Sequence, residues 1–273
     1  MAHSERNDAL RPRTELPTAL RQVTVARAVS LSPRMRRLIL SGPELAGHMP
    51  WGQCTPLASP NFDDHCKLLI PQPGVEVERA APGQTGAGLP DSLRGRGRHY
   101  TISHWDPAAG ELWLDVLRHE GGLVGQWAFT AQVGDVAYLG GPRATAAAPH
   151  ADWYLFVADQ AALPAVERWM KQAAPGVRAA AVISVYDVAE VRPLATAADA
   201  SIDWMVGQAG PGRCNSGLLR AAERAALTLA TGGGEGFAWV AGESALASDL
   251  RELLEGIVGA GRVEVGRYWS AQR

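Results

Sequence analysis

The chain has 273 residues, 47% of them hydrophobic and 20% charged, with a formal net charge of −2. That length favours two domains of ordinary size, and that balance is the one expected of a soluble globular protein. A charge so close to zero gives no global attraction to nucleic acid or to an anionic membrane, so any basic site must be local.

No apolar run approaches the length of a membrane span, and Met1 to Leu20 is polar with no signal-peptide core. Residues 1–20 are expected to form a disordered lead-in. Cys54, Cys66 and Cys214 are scattered without a C-x-x-C spacing, and the seven histidines include no H-x-x-x-H pair. The thiols suit a reducing cytoplasm, and neither pattern supports a disulfide scaffold or a metal cage. A cytoplasmic monomer is expected.

Residues 21–149 read mainly as β structure. Arg21–Leu31 and Arg34–Leu40 are rich in β-branched and apolar residues around the turn Ser32-Pro33, which suits a hairpin. Cys66–Ile70 is a short strand stopped by Pro71, and the Pro- and Gly-rich stretch from Pro71 to Gly97 reads as a long surface loop. In Glu111–Leu117, Leu112, Leu114 and Val116 alternate with Trp113 and Asp115, the period of a half-buried strand. Leu123, Trp127 and Ala131 have helical spacing, and Asp135–Leu139 returns to strand. Short strands around one helix predict an antiparallel β-barrel. Ala144–Ala148 is featureless and reads as a linker, with the domain boundary near Pro149.

Residues 150–273 follow a different grammar. Apolar runs at Trp153–Ala158, Ala179–Tyr186, Ile202–Val206, Phe237–Ala241 and Val263–Trp269 alternate with helical segments at Ala161–Ala173, Ser216–Leu229 and Ala245–Val258. This alternation predicts an open parallel α/β sheet covered on both faces.

Two segments of the first domain carry chemistry. Arg98-His99-Tyr100-Thr101-Ile102-Ser103 has strand composition, and His119-Glu120-Gly121-Gly122 runs into the helix of Trp127. A flavin nucleotide needs an aromatic face and a hydroxyl at its ring, and free backbone N–H groups at its pyrophosphate. Tyr100 can lie against the ring, Thr101 can bond to its polar edge, and Arg98, on the side of Tyr100, can pair with phosphate. The same residues also make an ordinary strand with an exposed Arg, and Gly121-Gly122 also makes a plain turn. His119 can contact phosphate, ribose or ring, or simply cap the strand. Trp127 falls on the apolar stripe of its helix and reads as core, but it also stands among the candidate cofactor contacts.

The order and spacing of these pieces resemble the siderophore-interacting proteins, flavin-dependent ferric-siderophore reductases related to ferredoxin–NADP reductases. The resemblance spans Arg21 to Trp269. It also rests on Ser32-Pro33-Arg34-Met35-Arg36-Arg37-Leu38, Asp63-Asp64-His65-Cys66-Lys67-Leu68-Leu69-Ile70-Pro71 and Gly141-Pro142-Arg143. In the second domain it rests on Asp159, Ala162-Leu163-Pro164-Ala165, Trp239-Val240-Ala241-Gly242-Glu243 and Tyr268-Trp269.

The resemblance implies a β-barrel that binds FAD, an α/β domain that binds NADPH or NADH, and electron transfer to a ferric siderophore with release of ferrous iron. It implies cofactor contacts at Ile102 and Ser103 beside Arg98, Tyr100 and Thr101. It also implies contacts at Asp159, Gly242, Glu243 and Trp269, and a basic substrate pocket at Lys67 and Arg143, with Arg262 and Arg267 nearby. Three positions depart from the family pattern: Gln160, Ala144 and Glu264, the last where a cation is usual. They motivate an alternative, a repurposed relative that performs a natural-product tailoring step with a non-redox flavin or none. A third reading is a binding module without turnover. No G-x-G-x-x-G follows the first strand of the α/β domain; Gly207–Gly212 and Gly232-Gly233-Gly234 read as loops.

Overall fold

The computed structural model describes residues 9–79, 89–119, 122–207 and 216–270. The chain forms two compact units, one of residues 13–146 and one of residues 147–273 joined by the N-terminal residues up to Pro12. The first unit contains β1 (Thr14–Glu15), β2 (Leu20–Ser30), β3 (Met35–Ser41), β4 (His48–Met49), β5 (Gly52–Gln53) and β6 (His65–Leu69). These are followed by β7 (Gly97–Asp106), β8 (Glu111–Leu117), α1 (Leu123–Thr130), β9 (Val136–Gly140) and β10 (Ala144–Thr145). The order β2-β3-β8-β7-β6-β9 closes into an antiparallel barrel. Closure leaves no free sheet edge, and alternate residues fill the interior.

Val23, Val25, Leu38, Leu40, Leu68, Ile102, Leu112, Leu114, Val116 and Leu139 form that core. Helix α1 packs against β3, β7 and β8 and adds Val124 and Ala128 to the cluster, with Trp127 packed against it. Leu123, expected on the apolar stripe, is exposed instead. Arg36 of β3 donates to the carbonyls of Phe129 and Ala131 at the C-terminal end of α1, where a cation complements the helix dipole.

β10 pairs antiparallel with β1, so part of the stretch expected to be a featureless linker is strand. The expected disordered lead-in does not extend over the described residues 9–20. Arg11 is buried, and its guanidinium donates to Glu264 Oε2 at 2.7 Å and to the Ala147 carbonyl at 2.9 Å, all within the second unit. A partner 253 residues away leaves no local signal in the sequence.

The second unit holds β11 (Trp153–Asp159), α2 (Leu163–Gln172), β12 (Arg178–Val185), β13 (Asp199–Val206) and α3 (Ser216–Thr231). β14 (Gly236–Glu243), α4 (Ser244–Val258) and β15 (Val263–Trp269) complete it. All five strands are parallel, in the order β13-β12-β11-β14-β15. Trp153, Leu155 and Val157 pack with α3 and α4, whereas Tyr154 and Phe156 stack on Trp169 of α2 at centroid distances of 4.9 and 4.5 Å. Coverage on both faces explains why β11 is continuously apolar rather than alternating.

Gly236 lies against the buried indole of Trp153, where an added Cβ would come within 2.2 Å of the ring. The ring cannot retreat into solvent, so Gly236→Ala is expected to destabilise the protein by about 1–3 kcal/mol, read as a lower urea midpoint.

Glu167 of α2 meets Arg192 at 2.8 Å and Lys171 at 2.9 Å. Burial alone would raise its carboxyl, but Arg192 and Lys171 hold it down at about 2, from an ordinary 4.5. The stability from this pair is therefore complete above 4.5 and is lost as pH falls through 2. The melting temperature of the native protein should exceed that of Glu167→Gln near neutrality, and the gap should close on acidification. A gap independent of pH would show that the ion pair adds nothing.

Candidate functional site

Strands β6 and β7 pair antiparallel, with Cys66 opposite Tyr100, Leu68 opposite Arg98, His65 opposite Thr101 and Lys67 opposite His99. Cys66, Leu68 and Ile102 belong to the barrel core, and Tyr100 packs against it. His65, Lys67, His99 and Thr101 therefore share the other face of the two strands.

Arg98 is exposed and donates to the carbonyl of Gly97 at 2.9 Å; no carboxylate partners it among the described residues. Burial pushes the Tyr100 phenol up, with Arg98 pulling the other way, so Tyr100 keeps its O–H at neutral pH. Thr101 is buried. Ile102 and Ser103, expected as cofactor contacts, also have partners within the barrel. Ile102 is core, and its N–H donates to the Asp64 carbonyl at 2.8 Å. The Ser103 hydroxyl bonds to Asp115 at 3.2 Å and to the Trp113 carbonyl at 3.1 Å, and Asp115 is held by both arms of Arg37 at 2.7 Å.

Gly121 lies outside the described residues. Gly122 is the residue before α1, and no side chain of the described residues caps that helix. The room beside Gly122 is filled by the imidazole of His119, whose Cε1 would be 2.1 Å from an added Cβ. Glycine here admits a histidine ring rather than leaving an empty cradle. Among the described residues no side chain takes the first N–H groups of α1, a geometry that suits an anion. Trp127 is packed against the barrel core, as its stripe position suggested.

The Asp63-Asp64 pair ahead of β6 fixes the start of that strand. Asp64 is buried and accepts from Thr145 at 2.6 Å, from the Asn61 N–H at 2.8 Å and from Ser59 at 3.3 Å. Lys67 is half-buried and Arg143 exposed; neither has a carboxylate partner among the described residues. The space over Gly141 is bounded by the His65 carbonyl and the Arg143 side chain, so His65 and Arg143 are neighbours.

In the second unit, the strand order reverses between β11 and β14, the switch point where open α/β sheets bind ligands beyond their carboxyl ends. A shallow depression there is lined by Asp159, Ala241, Gly242, Glu243 and Leu246. Asp159 is buried; it accepts the N–H groups of Ala161 and Ala162 at 2.9 and 3.2 Å and the indole N–H of Trp269 at 2.6 Å. Burial raises its carboxyl to about 6, against those donors. Gly242 has no room for a side chain, because a Cβ would lie 2.6 Å from Asp159 Oδ2. Glu243 caps α4 through Ala245 and Leu246 at 2.8 and 3.0 Å.

Asp159, Gly242, Glu243 and Trp269 are thus brought together; Glu243 caps α4, whereas Asp159 binds the turn ahead of α2, a helix with no side-chain cap. Arg262 donates to the carbonyls of Gly236 and His150 and sits 3.4 Å from Glu235, and Arg267 reaches Ser248 at 3.2 Å. Neither is an unoccupied cation. Gln160 is buried and bonded to Glu190, and Glu264 to Arg11. These two departures from the family pattern have structural explanations. Ala144 is a residue of β10, and nothing in the structure explains its substitution. His99 and His65 were passed over in the sequence; His99 stands in the Arg98-x-Tyr100 motif, but its importance depends on its cross-strand partner.

Residues 24–146 match the siderophore-interacting FAD-binding domain, and residues 151–272 match the siderophore-interacting protein family. The chain belongs to the siderophore-interacting protein family. It is 32% identical to a siderophore utilization protein from T. fusca, with a TM-score of 0.80 over 96% of this chain and 97% of that one. It is 28% identical over 257 residues to the NADPH-dependent ferric-chelate reductase of Escherichia coli (strain K12), covering 92% of this chain and 93% of that protein. Ferredoxin-NADP+ reductase from Plasmodium falciparum, 11% identical, shares the fold with a TM-score of 0.63 over 90% of this chain and 95% of its own. The expected barrel and parallel α/β layout is borne out, and the first unit is the FAD-binding one.

Arg98→Ala should weaken FAD retention by about 1–3 kcal/mol, the range for losing a charge-assisted partner, measured by flavin fluorescence on dilution. Unchanged retention would remove Arg98 from the cofactor site.

Proposed function

We propose that this flavin oxidoreductase takes reducing equivalents from NAD(P)H and passes them to a ferric siderophore, releasing ferrous iron. One observation carries the reading. In the FAD-binding unit, the cations Arg98, Lys67 and Arg143 lack carboxylate partners among the described residues, and the N-terminus of α1 lacks a side-chain cap. Unpaired cations and open helix donors suit two anionic species, a pyrophosphate and a chelate.

Arg98 and the first N–H groups of α1 hold the FAD pyrophosphate, with His119 beside them. Tyr100 supplies an aromatic wall with a neutral hydroxyl, and Thr101 a second hydroxyl from the opposite face of β7. FAD supplies the conversion between a two-electron hydride donor and a one-electron metal acceptor. Lys67 and Arg143 attract the chelate and offset the negative charge that reduction adds to it. Reduction loosens the complex, because hard oxygen donors hold ferric iron better than ferrous.

In the second unit the nicotinamide nucleotide binds at the switch point. Trp269 is positioned there by Asp159, and Glu243 closes α4. Because Glu243 already meets the first N–H groups of α4, a phosphate group of the nucleotide is held elsewhere on the unit.

Purified protein should be yellow. Anaerobic NADPH or NADH should bleach it, and a ferric siderophore should restore the colour. Colourless protein that does not take up FAD, or bleaching that iron does not reverse, would overturn the reading. Lys67→Ala should raise the apparent KM for an anionic chelate and leave nucleotide oxidation intact; an equal fall in both would make Lys67 structural.

A further inference from the structure

On the face of β6 and β7 that carries Lys67, the nearest side chains are imidazoles. His99 stands directly across from Lys67. The His65 and His99 rings meet edge to face, with centroids 5.5 Å apart. His65 Nδ1 lies 3.3 Å from the Asp63 carbonyl, which fixes Nδ1 as the protonated nitrogen. On the other side of Lys67 the cross-strand neighbour is Gly140, where an added Cβ would touch nothing closer than 3.9 Å. Lys67 therefore has a glycine without a side chain on one flank and an aromatic, nitrogen-bearing wall on the other.

Two imidazolium ions at this separation beside an ammonium would repel one another. One flank of His99 is solvent-exposed, but the flank against the strands is desolvated. That desolvation, then His65 and Lys67, pushes its imidazole below the ordinary value. His99 therefore adds no charge near neutrality. Lys67 and Arg143 are cations here with no carboxylate partner among the described residues.

Building on the reductase reading above, we propose that His99, directly across from Lys67, is a specificity-determining residue of the acceptor site. It selects ferric chelates of low net charge, of the hydroxamate class, over tris-catecholates. Three monoanionic hydroxamates cancel the charge of Fe³⁺, whereas three dianionic catecholates leave a trianion. The transferred electron leaves the reduced flavin and converts ferric to ferrous iron, so each complex becomes more negative by one charge. Lys67 and Arg143 cover the resulting monoanion and leave a tetraanion largely uncompensated. A lysine or arginine at position 99 would supply the missing charge, and this chain has a neutral ring instead.

The test uses gallium(III) chelates, which match the ferric charge but do not accept the electron. Isothermal titration of the oxidised holoprotein reads binding apart from turnover. The gallium trihydroxamate should bind about tenfold or more tighter than the tris-catecholate, and His99→Lys should shrink or invert that ratio by about tenfold, the effect of one nearby charge. His99→Gln, neutral like the native ring, should keep the native ratio and so controls for loss of fold. A native preference for the tris-catecholate, or a ratio unchanged to within about twofold in His99→Lys, overturns the proposal. If both ferric chelates reoxidise the flavin equally well, selectivity falls while the reductase reading stands; if neither does, both fall.

Discussion

Whether a helix N-terminus can bind an anion depends on whether the protein's own carboxylate gets there first. In the α/β unit, Asp159 meets the N–H groups ahead of α2, and Glu243 meets those of α4. In the barrel unit, α1 follows Gly122, which has no side chain to turn back on the helix. The same backbone physics therefore yields a closed end at α4 and, at α1, an end with no side-chain cap among the described residues. The open end lies in the unit that matches an FAD-binding domain. A dinucleotide carries its negative charge at the pyrophosphate, and an uncapped helix needs no displacement of an internal anion before it can receive one.

The arginines divide along the same line. Arg21 is buried under the carbonyls of Glu44 and Thr55, Arg37 is clamped on Asp115, and Arg178 caps the C-terminal end of α3 through Leu229 and Gly233. Each satisfies its donors within its own unit and contributes to rigidity rather than recognition. Arg98, Lys67 and Arg143 are different, because their charges have no internal counterpart among the described residues. A cation left without a partner on a rigid barrel costs little in water and keeps its full field for an incoming anion.

The sheet and barrel were legible in the sequence because their signals are local. The alternation of Leu112, Leu114 and Val116 survives as the inward set of β8, and the continuous run at β11 reflects helices on both faces. The site was legible only in part. Arg98, Tyr100, Asp159 and Glu243 are placed near strand ends or along β7 by spacing alone. Ser103 illustrates the limit: its hydroxyl reads as a flavin contact, and only the fold shows that β8 also brings Asp115 within 3.2 Å. His99 shows the reverse. A histidine in a strand says nothing until register sets it opposite Lys67 and against His65.

Glu264 shows how a departure from a family pattern is to be weighed. An acid at a position where the resemblance implies a cation suggests a changed substrate if the side chain faces the ligand. Here the carboxylate is 3% exposed and bonded to an arginine that is 1% exposed. Two buried charges at 2.7 Å are tolerable only together, since either one alone would carry an uncompensated desolvation penalty. Position 264 and position 11 therefore constrain each other. The acid is explained by the N-terminal segment it anchors to β15, and it carries no information about the acceptor. That leaves the charge of the acceptor to be read from the barrel face, where Lys67, Arg143 and the two imidazoles stand.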